Sequence, residues 1–127
     1  MALLLRNKDK ELLTEIFSSL DIPVEVWAYG SRVDGTAHEG SDLDLVIMGQ
    51  NREKIPVETF LELKDKIRNS NIPILVDLFD WARLPESFHK NIEACHEVLF
   101  SSLVVVYEPE IRYARDDKKT GQGKSTK

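Results

Sequence analysis

Cysteine is nearly absent from this chain. The single Cys95 excludes an intramolecular disulfide, which fits a reducing compartment and predicts a cytoplasmic protein. Long apolar runs are missing too. No stretch approaches the ~20 residues of a membrane span, so no membrane association is expected. Met1 to Leu5 is apolar, but it is too short for a signal core and runs at once into Arg6-Asn7-Lys8-Asp9-Lys10. Positive charge is not in excess. Lys and Arg number 17 against 22 Asp and Glu, a formal net charge of −5. That balance argues against a dedicated nucleic-acid surface and suits a basic protein partner. No internal repeat is visible.

What remains is an ordinary globular composition, 42% hydrophobic over 127 residues. It predicts one domain over residues 1–110, followed by a mobile polar tail at 111–127. Gly123-Lys124-Ser125 in that tail imitates the end of a P-loop. The position of its first glycine is held by Lys118, and no strand or helix flanks it, so it is set aside.

Residues 7–20 predict a helix, with Leu12, Leu13, Ile16, Phe17 and Leu20 on one stripe. Pro23 ends it. A second helix is expected over 55–69, with Pro56 in its first turn, Val57, Phe60, Leu61 and Ile67 on its buried side, and a Glu62–Lys66 pair outside. A third is expected over 85–95. Strands are expected near 24–29, 43–48, 74–80 and 103–107, the last from Leu103-Val104-Val105-Val106-Tyr107. Together they predict an α/β (α+β) domain with a mixed, partly antiparallel sheet and helices packed on it. His89 and His96 fall on a similar face, but further ligands at metal-binding spacing are lacking.

The chemistry concentrates between Val24 and Val46. An apolar strand runs into Gly30-Ser31, a polar Gly-rich loop follows, and the next strand opens with Asp42-Leu43-Asp44. Alternate residues of a strand share a face, which sets the two carboxylates side by side. Close carboxylates repel unless a cation or a proton intervenes. Hard cations such as Mg²⁺ are held by a few carboxylates together with substrate phosphates. Gly30 allows a sharp turn and close approach. Backbone N–H groups beside the Ser31 hydroxyl make an anion-binding concavity, and Arg32 stands where it could reach phosphate oxygens. Trp27 is expected under a packed helix, His38 in solvent, and Ser41 as a brace of the loop. In the third strand a carboxylate among apolar neighbours is costly without a partner. Asp77 and Asp80 fall on opposite faces, and Asp77 has the greater need; Asp80 is read as a solvated or capping residue. A phosphate cradle beside paired carboxylates suggests phosphoryl or nucleotidyl transfer.

Gly30-Ser31, ten residues, then Asp42-x-Asp44 resembles the signature of the minimal nucleotidyltransferases of the DNA polymerase beta superfamily. Trp27 to Arg32, Ser41 to Leu45 and Val76 to Trp81 carry the same likeness. The resemblance implies the polymerase-beta-like fold, with Asp42, Asp44 and Asp77 as catalytic ligands of two Mg²⁺ ions. It implies ATP, or another nucleoside triphosphate, held at Gly30, Ser31 and Arg32. Small proteins of this type are often antitoxins paired with a HEPN-domain ribonuclease toxin, and some transfer AMP to a tyrosine of that toxin. The alternatives are an antitoxin that masks its toxin with a vestigial site, or a nucleotidyltransferase acting on a small molecule.

Overall fold

The computed structural model describes residues 3–38 and 40–104. The expected tail at 111–127 lies outside them. Helix α1 (Asn7–Ser18) leads through Pro23 into strand β1 (Val24–Tyr29). A four-residue helix, α2 (Ser31–Asp34), and a polar loop follow. Strand β2 (Leu43–Gly49), helix α3 (Val57–Arg68), strand β3 (Val76–Asp80), helix α4 (Glu86–Ala94) and strand β4 (His96–Ser101) complete the order.

The sheet runs β3-β2-β1-β4. β1 is antiparallel to β2 and to β4, whereas β2 and β3 are parallel. Helix α3 makes the crossover that parallel neighbours require. The sheet is thus mixed and partly antiparallel, as the apolar pattern predicts.

Alternation within the strands gives the sheet two different faces. Val24, Val26 and Ala28 of β1 join Leu43, Leu45 and Ile47 of β2 and Leu78 of β3 in the main core, with Leu13 and Phe17 of α1 and Leu63 and Ile67 of α3 laid over them. The opposite face carries a smaller core of Trp27, Val46, Met48, Trp81 and Ile92. Trp27 is buried there, as expected. Its ring stacks on His96 with centroids 3.9 Å apart, and Trp81 stacks on His89 at the same separation. The two histidines are therefore packed against indoles, and each also contacts a backbone carbonyl. Arg52 lies over both indole rings, 5.2 and 4.9 Å from their centroids, and pairs with Glu93 at 2.8 Å.

Three expectations need correction. The last strand is His96–Ser101, not 103–107: Leu103 and Val104 lie outside any strand, and 105–107 fall outside the described residues. Helix α4 ends at Ala94, and the chain pairs at once with β1, His96 opposite Tyr29. On α3, Val57 and Leu61 are both 55% exposed, and Leu63 takes the buried stripe with Ile67. Lys66 donates to Ser19 Oγ instead of pairing with Glu62.

Candidate active site

Register brings the predicted carboxylates together. Tyr29 of β1 stands opposite Asp44 of β2, and Asp44 stands opposite Asp77 of β3. Tyr29, Asp44 and Asp77 therefore form a row across three strands. The row lies on the face that carries Trp27, with Tyr29 sharing a small cavity with Phe88, Asn91 and Ile92 of α4, and all three side chains are half-buried. Asp42 is exposed just before β2, two residues from Asp44. The amide of Leu43 donates to Leu75 O at 2.8 Å, which ties this entry to the chain leading into β3.

Charge crowding is visible at Asp44. Burial pushes its carboxyl above the ordinary carboxylate range, and the charges of Asp77 and then Asp42 push it the same way. Burial, followed by the charges of Asp44 and Asp77, lifts the Tyr29 phenol to about 12. Tyr29 is therefore a neutral hydroxyl at physiological pH. Sequence reasoning overlooked it as a site residue, although its place before Gly30, on the face of Trp27, was the available signal.

Gly30 makes the turn out of β1 with φ 81° and ψ −154°. A Cβ at this position would lie 2.6 Å from Asp44 Oδ2. Here glycine supplies both the dihedral and the space, because the carboxylate rests against its Cα. Gly30 O accepts from the amides of Val33 and Asp34, both at 3.0 Å, which closes α2. Ser31 opens that helix and is half-buried. The loop to Asp42 folds on itself: Ala37 N donates to Ser31 O at 3.1 Å, and Ser41 Oγ accepts from His38 N at 3.0 Å. Ser41 braces the loop as expected, and His38 is exposed.

Arg32 is turned toward backbone carbonyls. It is buried, 6% exposed. Its Nε donates to Ser41 O at 2.9 Å and its Nη1 to Leu4 O at 2.8 Å. Asp80 faces the main core, where its Oδ2 accepts from Ile55 N at 2.9 Å and its Oδ1 from Ala82 N at 3.1 Å. It caps the turn after β3, buried and not solvated.

A cavity of about 940 Å³ opens beside Asp42, with Leu3, Leu4, Leu5, Ile74 and Leu75 as apolar walls. Among the described residues, no three His, Cys, Asp or Glu side chains close into a ready-made metal cage. Mg²⁺ seldom uses one; it takes one or two carboxylates and completes its shell with water and substrate phosphates. Asp42, Asp44 and Asp77 offer hard oxygen donors, crowded enough to raise the Asp44 pKa, and that donor set fits such an ion.

The carboxylate row thus stands at the end of a mixed sheet, with a glycine turn packed against it. Residues 11–103 match the family "Polymerase beta, Nucleotidyltransferase", and the chain belongs to that family. It is 32% identical over 105 residues to the "Probable protein adenylyltransferase MntA" of Haemophilus influenzae, covering 83% of this chain and 90% of that one. Two crystal structures share the fold. One, "the toxin-antitoxin with AMP-PNP", aligns with a TM-score of 0.58 at 21% identity, over 76% of this chain and 75% of that one. The other, from Shewanella oneidensis, aligns with a TM-score of 0.57 at 17% identity, over 77% and 74%. Among the described residues, no helix is long and apolar enough to cross a membrane.

Proposed function

We propose that this nucleotidyltransferase is an antitoxin that moves AMP from ATP to a tyrosine hydroxyl of a HEPN-domain ribonuclease toxin. The observation that carries the reading is the row Tyr29–Asp44–Asp77, with the Asp44 carboxylate seated against Gly30. The relationship to a protein named adenylyltransferase supports AMP as the group moved. The net charge of −5 favours a protein acceptor over a nucleic acid. Apolar walls beside Asp42 suit a phenol better than a sugar hydroxyl. The work belongs in the cytoplasm, where ATP and such a toxin meet.

Asp42 and Asp44 would hold two Mg²⁺ ions between them, and Asp77 would share the ion nearer the acceptor. Bound there, the two ions would neutralise phosphate charge and favour ionisation of the attacking hydroxyl. Gly30 and Ser31 hold the β and γ phosphates through backbone N–H groups and the serine hydroxyl. The acceptor oxygen bonds to the α-phosphorus, the bond to the β-phosphate oxygen breaks, and pyrophosphate leaves. The acceptor proton passes to water.

Intact mass spectrometry after incubation with ATP, Mg²⁺ and the candidate toxin tests the reading. One or more AMP masses on the toxin, absent with Asp42→Asn/Asp44→Asn, is the expected result. Neutralisation through a stable complex without added mass would replace it with masking alone. AMP appearing only on small molecules would remove the toxin from the account.

A further inference from the structure

We propose that Arg32 is a positioning residue, a clasp that fixes Asp42 by joining the Leu4 segment to the end of the site loop, and not a ligand of the phosphates. The inference rests on the nucleotidyltransferase reading and assigns one of its residues a different task.

Three hydrogen bonds build the clasp. Leu4 N donates to Arg32 O at 2.7 Å, Arg32 Nη1 returns to Leu4 O at 2.8 Å, and Arg32 Nε reaches Ser41 O at 2.9 Å. Ser41 is the residue before Asp42. One guanidinium thus spans from the first turn after Gly30 to the residue that delivers the first carboxylate. The side chain is buried, which strengthens these charge-assisted bonds and makes their loss costly. A planar fork can serve two carbonyls at fixed angles, and an ammonium cannot. Leu4 also walls the cavity beside Asp42, together with Arg32 itself. The clasp therefore couples that wall to the carboxylate.

The test uses the full chain with four substitutions. Arg32→Met keeps the buried stem and removes the fork. Arg32→Lys keeps the charge. Leu4→Pro deletes the amide that donates to Arg32 O, and Leu4→Ala retains it; Leu4 is 51% exposed, so truncating it disturbs the fold little. Three quantities are read: amide exchange across Ala37–Leu43, the Kd of a non-hydrolysable ATP analogue with Mg²⁺, and kcat and KM for AMP transfer.

A clasp predicts faster exchange of that segment in Arg32→Met, Arg32→Lys and Leu4→Pro alike. The analogue Kd should hold within about twofold while kcat falls roughly ten- to hundredfold, the scale of one or two charge-assisted bonds. The double variant Arg32→Met/Leu4→Pro should be no worse than either single one, because both open the same link. Leu4→Ala should match the parent in amide exchange across Ala37–Leu43 and in analogue Kd, the two readouts that do not involve the acceptor. A phosphate ligand predicts the reverse: analogue affinity falls about tenfold or more in Arg32→Met and is partly restored by lysine, with Leu4→Pro silent. That pattern would overturn the clasp. Should the parent transfer no AMP at all, the proposed function fails by itself. Exchange across Ala37–Leu43 still decides the clasp, and unchanged protection in Arg32→Met would refute it.

Discussion

Gly30→Ala places a methyl group where the Asp44 carboxylate now packs. Its φ of 81° and ψ of −154° lie in a region that side chains other than glycine rarely enter, at a cost of about 1–3 kcal/mol. For 127 residues, an unfolding entropy of about 2.1 cal/mol/K per residue turns each kcal/mol into about 4 °C of Tm. The backbone term alone should lower Tm by about 4–12 °C. A second effect is local. The new methyl would sit 2.6 Å from Asp44 Oδ2, well inside contact distance, so the carboxylate must move. A displacement approaching 1 Å at a reacting centre costs about a hundredfold in rate. Gly35→Ala is the control. Gly35 also has positive φ, at 90°, but it is exposed at the end of α2. It should lose about 1–2 kcal/mol and keep transfer when assayed well below both melting points. Scanning calorimetry in chelator and the AMP-transfer rate separate the two effects. A Gly30→Ala protein with parental rate would refute the Gly30–Asp44 contact as a determinant of activity. Equal loss of rate in Gly35→Ala would show that stability alone was being read.

Two further predictions concern the charged rows. The folded state raises the Asp44 pKa and so binds that proton more tightly than the unfolded chain does. The resulting penalty is absent at acid pH, where both states are protonated; it grows as pH rises through the folded pKa and persists above it. Asp44→Asn should therefore abolish transfer yet stabilise the metal-free protein at neutral pH by about 0.2–1 kcal/mol, the scale of like charges directly opposite in a sheet; the advantage should vanish in acid, and urea midpoints across pH would show otherwise. Asp80→Ala should do the converse, losing about 2–3 kcal/mol by orphaning the Ile55 and Ala82 amides, with the transfer rate per folded molecule unchanged.

The legible parts of this protein were those fixed by short-range pattern. Apolar alternation in 24–29 and 43–48, the carboxylate pair Asp42 and Asp44, and the opposite faces of Asp77 and Asp80 all follow from a period of two. The parts missed depend on partners distant in sequence. Strand β4 carries His96, Glu97 and Ser101, so its composition is less strand-like than the Val-rich run after it; pairing to β1 and the close of α4 select it. Val57 and Leu61 suit a buried stripe in isolation, and only the way α3 lies over the sheet chooses Leu63 beside the expected Ile67. Arg32 shows the same limit: nothing near it in sequence announces that Leu4 and Ser41, 28 and 9 residues away, bring their carbonyls to its guanidinium.

The same distinction explains why one sheet face can hold both a core and a charged site. Trp27 and Tyr29 lie two residues apart on β1 and share that face. Trp27 is enclosed by His96, Trp81 and Arg52, whereas Tyr29 faces the aspartates. The aromatic stack anchors the strand one step before the site begins. Three carboxylates would otherwise repel one another apart, since burial and their mutual charge both disfavour the ionised Asp44. A rigid strand on each side keeps them opposed, β1 held by the indole stack and β3 by its pairing to β2. On the proposed reading, repulsion held within a fixed frame is what a bound cation would relieve.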